Sequence, residues 1–592
     1  MNNPPQIHST LITQPVPKPV RDTVHILFNS NMGLLMLGMG LLWVGATVFS
    51  PKKGKISTGR FGGQAEKWAA QWTAWKQRNR RRPNQVSLKA GTLNIPEAQQ
   101  GIAVCGAPNS GKTYSIIDPL IRDALRQGFP IVVYDYKGSQ IEAHAAYASA
   151  LGYEVHVFAP GFAYTGVCNP LDFVRDACDS LMAGQLAEVI YKNTRRGSSA
   201  SENDFFSNAG QKLVEAVMLL SKTTVDSDLF MAKKILNLPN LPARIRKAAE
   251  KKDSDIPVWT LESFSQLLSS EEAEKQVAGI VATAQRTFDR FVGKDLISSF
   301  IGKTTIPLDM VGKRILFLQV DTQKRDIVAP LIAAILHLII ARNFSQPRTE
   351  PLIVSLDELP TLHLDDLPKW INEFRSYGFC PILGYQNFAQ LQHTYGRELS
   401  RAIFAACGTK VFFNPRDEET ASLISRYLGE KEVRLNTRSR NYGSQRSSSL
   451  NEQYQKVPVL SVDEVLKLDQ GQCVFINPAY KGGGEASVPL KLKLKVPQSE
   501  IKIQNHSEQL WHQVARTTLI EWMAEHHFSS DELDLKAANY QDMAETTFPL
   551  NESKEQTETD KKDDGDDDET QSAEVDKQIY NPDDYDNPVM ER

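Results

Sequence analysis

The stretch AVCGAPNSGKTYSIIDPLI, from Ala103 to Ile121, sets a short apolar run against a glycine-bracketed loop that ends in lysine and threonine. Gly106, Gly111, Lys112 and Thr113 satisfy the spacing G-x-x-x-x-G-K-[ST]. Gly101 to Cys105 reads as a buried strand, and Thr113 to Arg126 carries apolar residues at helical spacing, so the loop joins strand to helix. In that setting the backbone N–H groups of Gly106, Ala107, Pro108, Asn109, Ser110 and Gly111, proline excepted, turn inward around phosphate oxygens, helped by the positive end of the helix dipole. Lys112 supplies a point charge for the β and γ phosphates and Thr113 a magnesium ligand, so the expected cofactors are ATP and Mg2+. Gly302, Lys303 and Thr304 repeat the ending, but Ile297 stands where the first glycine belongs, and that segment is set aside.

Outward from the loop, strands alternate with helices, as in a parallel sheet covered on both faces. Val86 to Ile95 reads as a strand entering the nucleotide fold, followed by strands ending at Asp135 and near Ala159. From about Asp172 to Phe291 β-branched runs vanish and helical spacing dominates, which predicts an all-helical insertion. Alternation resumes with RILFLQV (314–320), PLIVSLDE (351–358), PILGYQ (381–386) and KVFFNP (410–415).

A phosphate-binding loop does not by itself hydrolyse anything. In LIVSLDELPTL an apolar strand leads to Asp357 and Glu358; adjacent strand residues point opposite ways, so one carboxylate reaches the magnesium shell while the other addresses attacking water. Asp357 is assigned to magnesium through its water shell and Glu358 to the general base. Gln386, closing the next strand, either senses the γ-phosphate or holds the water, or else caps the following helix. Arg375 is either a transition-state arginine supplied to a neighbouring subunit or an ordinary surface residue. Asp135 and Lys137 are expected near the nucleotide.

The chain has 592 residues, a net charge of -4 and 41% hydrophobic residues, enough for several domains with sizeable cores. Its six cysteines form no C-x-x-C pair and sit mostly in apolar runs, which suggests reduced thiols and no zinc site. Ile26 to Ser50 contains no charged residue, and Met32 to Phe49 is almost wholly apolar, long enough for one membrane-spanning helix. Lys52, Lys53, Lys55, Arg60 and KQRNRRR (76–82), against Lys18 and Arg21 before the run, place the bulk of the chain in the cytoplasm. That basic cluster is either an anionic-lipid contact or a solvated helix face. Ile327 to Ala341 is shorter and reads as a buried core helix. The last stretch, Asn551 to Arg592, holds 16 acidic and 5 basic residues and is expected to be disordered.

Taken together, these segments resemble the type IV secretion coupling proteins, the TraG/TraD-like ATPases of conjugative DNA transfer. The resemblance covers roughly Gly101 to Pro478 and is carried by GAPNSGKTYSIIDPL, VVYDYKGSQ, NPLD (169–172), DELPTL with FRSYGF and GYQNFAQLQHTYG, EETASLISRYLG (418–429) and PVLSVDEVLKLDQGQCVFI. It implies an α/β fold with a RecA-like P-loop NTPase domain (86–171 and 292–500) interrupted by an all-alpha domain (172–291). An N-terminal segment (1–25), a single transmembrane helix (26–50), a basic juxtamembrane part (51–85), a C-terminal helical extension (501–550) and the acidic tail (551–592) complete the expected organisation. The family further implies an inner-membrane homo-hexamer that couples ATP hydrolysis to DNA passage, with a relaxase, the secretion channel and the anionic membrane as partners. Tyr136 and Ser139 replace the family's usual Pro and Glu, and many members carry two membrane helices where one is found here.

KEVRLNTRSRNYGSQRSSS (431–449) is basic and serine-rich, read either as a phosphate contact or as a solvated loop. A chromosome-partitioning DNA translocase, a coupling ATPase for protein effectors and a non-hydrolysing scaffold remain alternatives for the whole chain.

Overall fold

The computed structural model describes residues 59–194, 204–250, 256–270, 273–289, 293–442 and 446–550. The expected transmembrane run and the acidic tail lie outside these residues.

Helix α1 (Gln64–Arg80) ends where Arg81 turns left-handed, φ 46°. The segment expected to be one strand from Val86 to Ile95 is instead a small hairpin, β1 (Leu88–Ala90) with β2 (Leu93–Ile95), standing apart from the main sheet. The break falls at Gly91, whose φ of 58° closes the turn. β3 (Ile102–Cys105) leads into the glycine loop, then a π-helical turn (Thr113–Ile117) and α2 (Asp118–Gln127). β4 (Ile131–Asp135), α3 (Ser139–Ala150) and β5 (Glu154–Phe158) follow. Between β5 and β6 (Arg314–Gln319) the described chain forms eight α-helices and no strand, the longest being Ser180–Thr194, Asp204–Ser221 and Glu274–Asp289. Then come α4 (Arg325–Asn343), β7 (Leu352–Leu356), β8 (Phe379–Tyr385), α5 (Phe388–Ala406, kinked at Gly396) and β9 (Thr409–Phe412). β10 (Glu430–Tyr442) and β11 (Arg446–Pro458) precede β12 (Gln472–Ile476), β13 (Leu490–Lys493) and α6 (Gln498–Leu510).

The main sheet has nine strands in the order β13-β12-β9-β3-β8-β7-β4-β6-β5. Every pairing from β9 to β5 is parallel, and only β12 runs against the rest, pairing antiparallel with β9 on one side and with the edge strand β13 on the other. β3, β4, β7 and β8 are buried along their whole lengths, the signature of strands covered on both faces. The strand period of two divides them. Ala103, Cys105, Val132 and Tyr134 join the core that includes α4 and the inserted helices, whereas Ile102, Val104, Ile131 and Val133 join the core under α2 and α3. The result is a three-layer α/β arrangement whose parallel strands all end on one edge.

Helix α4 is long and apolar enough to cross a membrane, yet 67% of its apolar window is buried inside the protein. It packs as the core helix expected from its composition. The basic, serine-rich segment is not a loop: β10 and β11 pair antiparallel over thirteen positions, from Glu430 opposite Pro458 to Tyr442 opposite Arg446. Its composition hides this because the ladder is made by backbone groups, which do not need β-branched side chains.

Candidate nucleotide site

All the groups singled out as chemistry-bearing, except Arg375 and Asp135, meet at the carboxyl edge of the parallel strands. The glycine loop leaves the end of β3, Asp357 and Glu358 follow β7, and Gln386 follows β8, which lies between those two strands. A cleft of about 470 Å³ opens there, lined by the loop from Gly106 to Ser115 together with Lys137, Glu358, Gln470, Gly471, Leu494 and Val496.

The loop's shape follows from its residues. Asn109 and Gly111 take left-handed backbone angles, φ 65° and 102°. A Cβ on Gly106 would stand 2.5 Å from Ser110 Oγ and 2.7 Å from Phe413 Cβ, so only glycine lets the loop close against β9's end. Gly471 N–H donates to the Ser110 carbonyl at 3.0 Å and fastens the far wall of the cleft to the loop.

Lys112 is buried, with Nζ 2.8 Å from Asp357 Oδ1 and 3.5 Å from Glu358 Oε1. Burial works against its charge, but Asp357 and then Glu358 outweigh it and hold the ammonium's pKa above the ordinary lysine value. Thr113 Oγ1 donates to Asp357 Oδ2 at 2.5 Å. Gln386 Nε2 donates to Glu358 Oε2 at 3.1 Å, and Lys137 Nζ lies 3.8 Å from Glu358 Oε1. Strand alternation predicts that Asp357 and Glu358 diverge; both instead address Lys112. The cause is the backbone: β7 ends at Leu356, and Glu358 adopts φ 62°, ψ 44°, which swings its carboxylate back toward the loop. A left-handed glutamate is strained, and such strain at a site needs surrounding structure to hold it.

Gln386 does not cap the helix after it. Asn387 does, its side chain accepting the Gln390 N–H at 2.8 Å, which leaves the Gln386 amide on Glu358. Asp135 turns away from the cleft. Its carboxylate is buried and accepts the N–H groups of Gly138 and Ile141 at 2.8 Å each, at the start of α3; burial raises its pKa to about 6. Lys137, two residues on, does line the cleft. Cys105, at the end of β3, is fully buried and pushed up to about 12, an inert thiol. Arg375 is exposed and sits before the amino end of β8. The seven residues of β8 put it roughly 20 Å from its own cleft.

Gly384 escaped notice in the sequence. It sits in β8 opposite Val104, and a Cβ there would stand 2.2 Å from Asp357 Oδ1 and 3.0 Å from Ile117 Cδ1. Asp357 reaches Lys112 by passing over this bare backbone. A glycine inside an apolar strand is itself a sign of close approach. Leu494 and Val496 left no such sign, since they reach the cleft only through long-range folding.

The family described as the type IV secretion-system coupling protein DNA-binding domain matches residues 88–481. The chain belongs to the type IV secretion-system coupling proteins. Coupling protein TraD of Escherichia coli (strain K12) is 30% identical over 141 residues, which are 23% of this chain and 19% of TraD. Conjugal transfer protein TraG of Agrobacterium fabrum (strain C58) is 25% identical over 405 residues, 65% of this chain and 60% of TraG. The chain thus spans about a fifth of this TraD and three fifths of this TraG. Among solved structures, plasmid coupling protein TrwB in complex with the non-hydrolysable ATP analogue ADPNP superposes with a TM-score of 0.53 at 16% identity, covering 76% of this chain and 96% of that one. TrwB in complex with ADP and Mg2+ gives 0.52 at 16%, covering 75% and 95%. At that identity the likeness establishes the fold, a mixed α/β coupling-protein architecture.

Proposed function

We propose that this coupling protein is a membrane-anchored ATPase, working as a homo-hexameric ring with a RecA-like motor domain, that delivers relaxase-bound single-stranded DNA to a type IV secretion channel. The observation that carries this reading is the convergence of Lys112 with Asp357 and Glu358 across β8. A magnesium nucleotide fits the residues present: a glycine-walled cradle that a Cβ would fill, a buried ammonium, and a threonine hydroxyl paired with an aspartate. TrwB, of the same fold, is known in complex with ADP and Mg2+ and with ADPNP.

Bound there, MgATP supplies the phosphoanhydride whose cleavage releases energy. Lys112 exchanges its two carboxylate partners for phosphate oxygens. Thr113 and Asp357 would hold the magnesium, the aspartate through the ion's water shell. Glu358 accepts the proton of the attacking water, and Gln386 Nε2 orients that carboxylate, as its present hydrogen bond already does. Leu494 and Val496 furnish apolar wall for the base. Arg375, exposed and remote from its own cleft, serves the cleft of a neighbouring copy.

DNA as the cargo is supported by the family's description and by the conjugal role named for TraG. The test is the ATPase rate of the full chain with and without single-stranded DNA across a salt series. Stimulation that fades with salt is expected. Absence of stimulation together with absence of salt-sensitive binding rules out DNA and leaves protein cargo.

A further inference from the structure

Helix α1 buries Glu66, Ala70, Ala74 and Gln77, and leaves Trp68, Trp72 and Trp75 exposed by 70%, 60% and 56%. At about 100° per residue the three indoles share one narrow stripe, roughly opposite the buried one. Trp72 and Trp75 stack with centroids 5.2 Å apart, and Lys76 Nζ stands 6.0 Å over the Trp72 ring. Together they present roughly 400 Å² of ring surface to the outside, as large as the biggest patch an ordinary monomer leaves wet.

The helix core does not need these rings, so their chemistry has to be met elsewhere. Indoles favour the boundary between hydrocarbon and headgroups, where an apolar body and one N–H donor are both satisfied. The surrounding charge is basic: Lys76, Arg80, Arg81 and Arg82 are exposed at the helix's end, and Lys52, Lys53 and Lys55 precede it in sequence. Only 14 residues, 50–63, separate the helix from the uncharged run Met32–Phe49, a tether of at most about 50 Å.

We propose that the tryptophan face of α1 lies on an anionic phospholipid surface, indoles at the level of the glycerol backbone and the basic residues among the phosphates. The proposal rests on reading Met32–Phe49 as a membrane span. It has a consequence for the motor. Arg78 is ion-paired with Asp123 of α2, and Arg60 bridges Glu66 and Glu485, so α1 is clamped to the nucleotide domain. Seating its outer face on lipid fixes how that domain is oriented over the membrane.

The test reconstitutes the full chain in phosphatidylethanolamine–phosphatidylglycerol vesicles carrying lipids brominated either near the glycerol backbone or deep in the acyl chain, and reads tryptophan fluorescence. The variant W68A/W72A/W75A is expected to lose more than half of the shallow-bromine quenching while keeping the deep quenching that reports Trp43; the control W259A/W522A behaves as wild type. Replacing phosphatidylglycerol by phosphatidylcholine is expected to weaken the shallow signal. Equal shallow quenching in wild type and triple variant overturns the proposal, and if the triple variant also sediments as a smaller assembly, a second copy is the true occupant of the face. Alkaline carbonate extraction reports the span separately. Wild type stripped by carbonate yet quenched through these tryptophans loses the span and keeps the face; wild type retained but not so quenched loses the face and keeps the span.

Discussion

Gly384→Ala is the sharpest perturbation the structure offers, because it touches no reacting group and yet should disable the site. The added methyl would stand 2.2 Å from Asp357 Oδ1, well inside any tolerated contact, and 3.0 Å from Ile117 Cδ1. β8 cannot retreat, since it is hydrogen-bonded to β3 on one side and β7 on the other. Asp357 must therefore swing, breaking its 2.8 Å approach to Lys112 and its 2.5 Å hydrogen bond from Thr113. Overpacking of this kind costs about 1–3 kcal/mol of stability. Displacing a magnesium-binding carboxylate by about 1 Å costs on the order of 100-fold in turnover. The assay is steady-state ATP hydrolysis over a magnesium titration, with thermal melting alongside. Gly293→Ala is the control, since a Cβ there meets nothing within 4 Å; it should leave both readouts unchanged. A folded Gly384→Ala protein with wild-type turnover and magnesium dependence would refute the reasoning.

Glu500 of α6 pairs with buried Arg122 at 2.6 Å and with Arg126 at 2.8 Å; Glu500→Ala leaves a buried guanidinium uncompensated and should cost about 3–5 kcal/mol, read as a fall in the urea midpoint. His144 is buried beside Asp118, and desolvation lowers its pKa below the ordinary value. The unfolded chain therefore takes up the proton first, so this contribution to stability is present above pH about 6.5 and declines on acidification below it, by up to about 1.4 kcal/mol per pH unit. Asp135 and Asp228, both raised to about 6 by burial, work in the opposite sense over the same range, so the histidine's share is the difference between the pH slopes of the urea midpoint in wild type and in His144→Gln, which carry the same two aspartates. A slope unchanged by His144→Gln contradicts the assignment. Finally, mixing inactive Arg375→Ala with inactive Lys112→Ala should restore part of the ATPase activity, because some mixed interfaces regain both groups; no restoration places Arg375 outside catalysis.

The sheet was legible because its central strands are short apolar runs bounded by glycine, proline and charge, and eight of the nine strands of the main sheet lie between Ile102 and Ile476. The glycine loop was legible because phosphate binding needs particular residues at particular spacings. What stayed hidden was set by backbone angles and distant contacts. The convergence of Asp357 and Glu358 depends on a left-handed Glu358, which no residue type announces, since glutamate rarely adopts it. Asp135 looked like a nucleotide neighbour by position, but the start of α3 claims its carboxylate. The β10–β11 pairing is not legible in composition because serine and arginine carry no strand preference, although its backbone register is regular. The turn at Gly91 that splits Val86–Ile95 shows in the sequence only as a glycine between two apolar pairs.

The central claim is that the lysine-bearing loop and the paired acids act on one magnesium triphosphate. It is tested most directly by measuring ATP affinity and turnover together for Glu358→Gln in the full chain. The account predicts affinity close to wild type, because Lys112, Thr113 and Asp357 remain, with turnover reduced by roughly 100-fold to 10,000-fold. Turnover near the wild-type rate would contradict it.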